Sequence, residues 1–325
     1  MIPRWTWHGG GLTAARARFG GEDWLDLSTG INPRAWPGVE AVPVDWRRLP
    51  EEHALRELEE AAADYVGCHA DHVCAVPGTE AGLRLIGSML EAPAFHLVPA
   101  YRTHGETIAG SVPIALEELD KADGSSLILA NPNNPDGRLL DREALRDLLR
   151  RREGKGWLLV DEAFADCHPA QSLAGDVADS RRLLVFRSFG KFFGLAGLRL
   201  GFVIGPRDTV RRLRRRLGAW PVSAAAIAIG TAAYRDAGWI AATRVQLERD
   251  AGELDAVLRA AGFRPQGMCP LFRLIACDDA SALFERLAKR FILTRPFDDR
   301  PDWLRLGLPG GAEALPRLRS ALQDG

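Results

Sequence analysis

Lys191 is the residue whose chemistry its setting explains least. The chain carries 42 basic side chains, of which only four are lysines; arginine serves almost everywhere else. Lys191 falls in the apolar, glycine-rich run RSFGKFFGLAGLRLGF, where solubility is a poor reason for a lysine. Arginine stays protonated in proteins, whereas a desolvated lysine amine can lose its proton and attack a carbonyl. Lys191 is therefore a candidate Schiff-base residue. Ser188 precedes it by three positions and Arg199 follows it by eight.

Other candidates stand where apolar runs end. Asp161 closes WLLV and opens DEAFADCH, and a carboxylate at the C-terminal edge of a strand is where open α/β sheets place ligand contacts. An N-cap or surface aspartate is the plainer reading. The turn Asn131-Pro132-Asn133-Asn134-Pro135-Asp136-Gly137 follows SLILA, and either presents polar groups or simply connects a strand to a helix. Gly78-Thr79-Glu80 opens an apolar-periodic segment, whose helix-start N–H groups could bind phosphate or be a capping turn only. Tyr101 is either an apolar plug or an aromatic plate over a ring. Arg295 and Arg305 lie in short runs near the C-terminus; salt bridges are their common use, but two guanidinium forks would also suit a substrate with a carboxylate and a phosphate.

The elements that must position these residues read as alternating strands and helices. Helical spacing runs from Glu51 to Tyr65, and again after Pro77-Gly78-Thr79 through Leu90. The runs AFHLVP, SLILA, WLLV and LLVFRS then alternate with helices such as DREALRDLLRRR, the pattern of βαβ units in a largely parallel sheet. LRLGFVIG adds a strand before an arginine-rich helix at Thr209–Leu217. The six arginines between Arg207 and Arg216 read as a solvated helix face rather than a nucleic-acid contact. After a composition change at 218–223 come an alanine-rich helical segment and LFRLIA, ASALFERLAKR, FILTR, WLRLGL and EALPRLRSAL, enough for a small α/β domain. The expected division is an N-terminal arm over 1–50 packing with the small domain, a large domain over 51–222, and the small domain over 223–325.

Composition narrows the function classes. A 325-residue chain can bury a substantial core, and a net charge of -1 gives no global attraction to nucleic acid or anionic lipid. The five cysteines have no close metal-ligand spacing and read as reduced thiols. His8 and His168 lack the spacing of a metal site, so no metal is expected. MIPRWTWHGGG lacks the apolar core of a signal peptide, and no run is long enough to span a membrane. A cytoplasmic protein is the expectation.

Taken in order, PGTEAG, PAYRTHGE, NPNNPDG, DEAFAD, SFGKFFGLAGLRLG and WLRLGLPG resemble the fold-type I enzymes that use pyridoxal 5'-phosphate (PLP). The likeness covers nearly the whole chain. It is strongest to the branch containing histidinol-phosphate aminotransferases and L-threonine-O-3-phosphate decarboxylases. The resemblance implies a large, mostly parallel-sheet α/β/α domain with a smaller C-terminal α/β domain. It makes Lys191 the residue that bonds the cofactor, Asp161 the partner of the pyridine nitrogen, Asn134 the contact to the phenolic oxygen and Tyr101 the stacking ring. Gly78, Thr79, Glu80, Ser188 and Arg199 become the phosphate cup, and Arg305 the clamp on the substrate carboxylate.

His8-Gly9-Gly10 and LSTGINPRAWP resemble the start of the threonine-phosphate decarboxylases, including cobalamin-pathway members. There His8, Asn32 and Arg295 surround the substrate phosphate or close the pocket. Two positions depart from related aminotransferases. Phe164 stands where a tyrosine usually donates to the phenolic oxygen, and Leu49 stands where a tyrosine reaches the neighbouring subunit's cofactor phosphate. The resemblance thus implies a homodimer that decarboxylates L-threonine O-3-phosphate, a small phosphorylated amino acid. A histidinol-phosphate-like aminotransferase is the alternative, and a non-catalytic PLP-binding protein the remote one.

Overall fold

The computed structural model describes residues 9–152 and 154–323. In chain order the helices and strands are α1 (Leu12–Phe19), β1 (Leu25–Asp26), α2 (Glu52–Val66), β2 (Val73–Val76), α3 (Thr79–Gly87), β3 (Ala94–Leu97), α4 (Thr103–Thr107), β4 (Val112–Ile114), β5 (Ser126–Ala130), α5 (Arg142–Arg150), β6 (Leu158–Asp161) and β7 (Leu183–Ser188). Then follow α6 (Phe189–Phe192), β8 (Gly201–Ile204), α7 (Arg207–Leu217), α8 (Ala224–Arg235), α9 (Ala237–Ala260), β9 (Phe272–Ala276), α10 (Ala280–Ala288), β10 (Ile292–Leu293), β11 (Arg295–Pro296), β12 (Trp303–Gly307) and α11 (Ala314–Gln323). The chain is α/β, as its alternating pattern predicts.

Two compact units form. One holds residues 36–134 and 138–241; the other holds 9–35, 135–137 and 242–323. The first is built on a seven-stranded sheet of order β2-β8-β7-β6-β5-β3-β4. Strands β5, β6 and most of β7 are buried on both faces, which is why SLILA and LLVF read as unbroken apolar runs instead of alternating ones. Strand β8 runs antiparallel to both β7 and β2, and every other pairing is parallel. The reversal has a functional consequence. The C-terminal ends of β2, β3, β5, β6 and β7 lie along one edge, and β8 begins at that edge, with Gly201 opposite both Ser188 and Val76.

Caps delimit the covering helices. Asp141 accepts from Ala144 N–H at 2.7 Å and starts α5, while Ser223 accepts from Ala226 N–H at 3.1 Å and starts α8. Beneath them Ile86, Ile128, Leu159, Phe186 and Val203 belong to one core cluster with essentially no exposure. On α7, Arg207, Arg211, Arg212, Arg215 and Arg216 are exposed, as expected of a solvated face.

The second unit contains an antiparallel sheet of order β11-β12-β9 and a parallel pair, β1 with β10. The pair places residues 25–29 beside the sheet: Leu27 N–H donates to Leu293 O, and Gly307 N–H donates to Leu27 O, both at 2.7 Å. All five cysteines are free thiols. Among the described residues no helix is long and apolar enough to cross a membrane.

Candidate active site

The strand edge of the sheet unit gathers nine of the residues singled out from the sequence. Its foundation is a buried charge network that joins Arg187, next to last in β7, to Glu162 and Asp166, just beyond β6. Arg187 donates to Glu162 Oε2 at 3.0 Å and to Asp166, and Glu162 also accepts from Ser172 Oγ at 2.6 Å and Leu173 N–H at 2.7 Å. Burial works against the Arg187 charge, but Asp166 and Glu162 outweigh it and hold its pKa above the usual arginine value. This network locks the end of β6 to the end of β7. Asp161 and Ser188, the adjacent residues, are thereby fixed relative to one another.

An anion cradle lies between α3 and the start of β8. Gly78 takes φ +91° and ψ 152°, a conformation closed to residues with a side chain, and a Cβ there would stand 2.7 Å from Arg199 Nη2. Gly201 lets the loop press down, since its Cβ would lie 2.7 Å from Thr79 N. The first N–H groups of a helix lack intrahelical acceptors, so the start of α3 presents donors beside the Arg199 guanidinium. Thr79 contributes through its N–H, because its hydroxyl donates to Arg187 O at 3.1 Å. Ser188 occupies the N-cap of α6 without using its side chain as a cap, which leaves the hydroxyl for another acceptor. Arg199 itself is held at φ 55°, left-handed backbone that a non-glycine residue adopts at a cost of about 1–2 kcal/mol.

Glu80 aims its carboxylate away from the cradle. It accepts from Arg84 Nε at 2.7 Å, Thr103 Oγ1 at 2.8 Å and Tyr101 Oη at 3.0 Å. That last bond orients the Tyr101 ring, and burial pushes its phenol up to about 12, so it stays protonated and donating.

Asp161 is buried, and its Oδ1 accepts from Ala163 N–H at 3.0 Å. Its Oδ2 faces His104 Nε2 at 3.0 Å. A carboxylate accepts, so this nitrogen carries the proton; His104 Nδ1 is buried with no hydrogen-bond partner. The imidazole stands edge-on to Tyr101, with ring centres 5.7 Å apart at 84°. Asn131 N–H donates to Asp161 O at 2.9 Å and brings the turn containing Asn134 to the same edge.

Lys191 sits on the one-turn helix α6 and is half-buried, whereas Lys121, Lys155 and Lys289 are exposed. Its amine is 5.8 Å from the ring centre of Phe164, which is buried three residues beyond Asp161. Gly190 permits this, since a Cβ there would lie 2.7 Å from Ala196 Cα.

His104 escaped the sequence reading. Its only signal was its place three residues after Tyr101, one helical turn away. Replacing it with Phe is expected to lower kcat/KM about tenfold, the value of one hydrogen bond to a charged group at roughly 1.5 kcal/mol. Gln, which retains a donor, should recover part of that loss. Steady-state kinetics against pH check this; an unchanged His104→Phe profile refutes a link through Asp161.

The second unit assembles Arg295 and Arg305. They face each other in antiparallel register, both buried, with guanidinium carbons 4.9 Å from the Phe297 ring centre and 5.1 Å from that of Phe272. Arg305 donates to Ser28 O at 2.8 Å. Burial, and then the neighbouring Arg295, push the Arg305 pKa well below its ordinary value. Like charges in this register repel, and an anionic ligand relieves them. Asn32 is buried four residues beyond Ser28, its Oδ1 accepting from Arg34 N–H at 3.0 Å. His8 lies outside the described residues.

The strand-edge cluster fits PLP. The open cradle at Gly78 suits a phosphate, and the buried Asp161 carboxylate suits a protonated ring nitrogen. Leu49, an apolar side chain with no group to donate to a phosphate, is 62% exposed.

Comparison with known proteins accords with this geometry. The family model described as aminotransferase class I and II matches residues 111–322. A threonine-phosphate decarboxylase of Sinorhizobium sp. is 43% identical over 97% of this chain and 97% of its own length. One from Pseudomonas aeruginosa is 40% identical over 97% of this chain and 96% of its own. Among solved structures, histidinol-phosphate aminotransferase from Sinorhizobium meliloti, in complex with pyridoxal-5'-phosphate, superposes with a TM-score of 0.81. It is 18% identical, over 96% of this chain and 93% of that one, so the likeness is one of fold.

Proposed function

We propose, from the premise that this chain belongs to the aminotransferase class I and II family, that it binds PLP and decarboxylates L-threonine O-3-phosphate. The products are (R)-1-aminopropan-2-yl phosphate and carbon dioxide. The observation that carries this reading is the buried cross-strand pair Arg295 and Arg305. Two guanidinium groups suit a substrate bearing both a carboxylate and a phosphate, and histidinol phosphate offers only the phosphate. The near-full-length likeness to relatives named threonine-phosphate decarboxylase supports the same choice. Phe164, which lacks a hydroxyl to donate, also weighs against ordinary transamination.

Bound PLP supplies a ring that accepts the electron pair left when a bond to the substrate's Cα breaks. Asp161, steadied by His104, keeps the proton on the pyridine nitrogen. The N–H groups at Thr79 and Glu80, the Ser188 hydroxyl and Arg199 hold the phosphate. Asn134 would donate to the phenolic oxygen, and Tyr101 would cover one face of the ring. Lys191 would hold the cofactor covalently, and its amine, released when the substrate amine takes its place, would carry the proton delivered to Cα. Arg305 orients the carboxylate, and must not hold it more tightly than the transition state, because ground-state binding alone does not hasten its loss. Arg295, Asn32 and His8 are assigned to surrounding the substrate phosphate or closing the pocket.

We further infer a cytoplasmic homodimer. Trp46, Leu49 and Trp220 are 77%, 62% and 57% exposed, and Leu49 borders a cavity of about 520 Å³ between the 43–57 segment and α8. Exposed large apolar side chains of this kind favour a protein interface.

Purified protein with PLP and threonine phosphate should release carbon dioxide with no added keto acid. No release, together with 2-oxoglutarate-dependent conversion of histidinol phosphate, assigns the aminotransferase reaction instead.

A further inference from the structure

The turn carrying Asn134 is fastened at both ends and at its tip. Asn131 closes the base: its Oδ1 accepts from Leu140 N–H at 2.8 Å, and its Nδ2 donates to Leu140 O at 3.0 Å. Asn133 donates from Nδ2 to Pro99 O at 2.9 Å and from its backbone to Arg138 O at 2.8 Å. The tip is held by a backbone crossing. Gly137 O accepts from Met268 N–H at 2.8 Å. A Cβ on Gly267 would stand 2.5 Å from Asp136 O, and one on Gly137 would stand 2.9 Å from Gly267 Cα. Both glycines have positive φ, +67° at Gly137 and +99° at Gly267.

This crossing is anchored in turn. Gln266 and Leu274 exchange both backbone hydrogen bonds, at 2.8 and 3.2 Å, and Leu274 stands opposite Arg305 in the sheet register. Gly137 thus hangs from the same hydrogen-bonded ladder that carries Arg305. Between Gly137 and Asn134 lies Pro135, whose ring fixes its own φ and restricts the backbone of the residue before it. A displacement of the tip is therefore passed on to Asn134 instead of being absorbed by free rotation.

We propose that the Gly137–Gly267 crossing positions Asn134, setting the direction in which its amide meets the phenolic oxygen of PLP; this rests on the reading of Asn134 given above. Gly267 is in that sense a positioning residue for the reaction, though it touches neither cofactor nor substrate.

The test is the absorbance of the PLP-loaded enzyme titrated against pH. Donation to the phenolic oxygen favours its anion, so Asn134→Ala should raise the titration midpoint by about one pH unit, the scale of one such hydrogen bond. Gly267→Ala, which drives a Cβ into Asp136 O, should move the midpoint in the same direction. The double variant should move it no further than Asn134→Ala alone, because both act through one contact. Gly262→Ala is the control: φ is +85° with open space around it, so it carries the backbone strain without the collision and should leave the midpoint in place. Met268→Pro, at a position 62% exposed, deletes the N–H donor without adding a Cβ to Gly267, and should also raise the midpoint. Midpoints unchanged in Gly267→Ala and Met268→Pro, beside a shifted Asn134→Ala, overturn the proposal. An unshifted Asn134→Ala overturns the reading of Asn134 itself.

Discussion

Replacing Lys191 with alanine is expected to abolish turnover, lowering kcat by roughly 10⁴-fold or more, the scale seen when a covalent catalytic residue is removed. The fold should survive. Lys191 is half-buried on a one-turn helix, alanine is the strongest helix former, and its neighbours Phe189, Phe192 and Phe193 supply the packing. Thermal stability of the apo-protein should therefore change by no more than about 0.5 kcal/mol. PLP should still bind, through the cradle at Gly78 and Arg199 and through Asp161, but without the visible band that reports its bond to the lysine. Absorbance, carbon dioxide release and a melting curve on one preparation separate these effects. Full turnover with the band intact would remove Lys191 from the chemistry. A collapsed melting curve would mean that the lysine is structural.

The prominence of Lys191 in the sequence has a simple cause. Three lysines serve at the surface, where arginine would do as well; the fourth is lodged among phenylalanines, where only a deprotonatable amine has a use. Asp161 and the Asn131–Asn134 turn were legible for a related reason, since each directly follows an unbroken apolar run and such runs end at the ligand edge of a parallel sheet. The direction of β8 was not legible. Apolar periodicity carries no sense of polarity along a strand, and it is this reversal that returns Arg199 to the edge shared by Ser188 and Gly78. His104 was hidden because its partner lies 57 residues away and its short helix looks like a surface turn. Helix α1 lacked an apolar stripe: Ala15 is its one buried residue. The Gly137–Gly267 crossing rests on backbone atoms alone, and glycine in a loop reads the same whether the space around it is open or filled.

Arg305→Met is expected to make the protein more stable and far less active. In the folded state Arg305 is buried opposite a second buried guanidinium, and both burial and that neighbour disfavour its charge. Unfolding releases it into water. Replacing a buried charge with an apolar side chain of similar length commonly stabilises by about 1–4 kcal/mol. Against this stands the donor lost to Ser28 O, worth roughly 1 kcal/mol. The charge effect is the larger, so the apo-protein should melt a few degrees higher. Activity should move the other way, because methionine cannot fork onto a carboxylate. Losing a buried charge-assisted contact to substrate costs about 3–4 kcal/mol, or 10²- to 10³-fold in kcat/KM. Arg305→Lys keeps the charge but not the planar fork, and should retain the low stability while recovering only part of the activity. Calorimetry of the three apo-proteins, set beside carbon dioxide release from threonine phosphate, decides the matter. A lower melting temperature with unchanged kcat/KM would make Arg305 a structural residue; the opposite pair of changes marks a charge kept in the core, against stability, for the substrate.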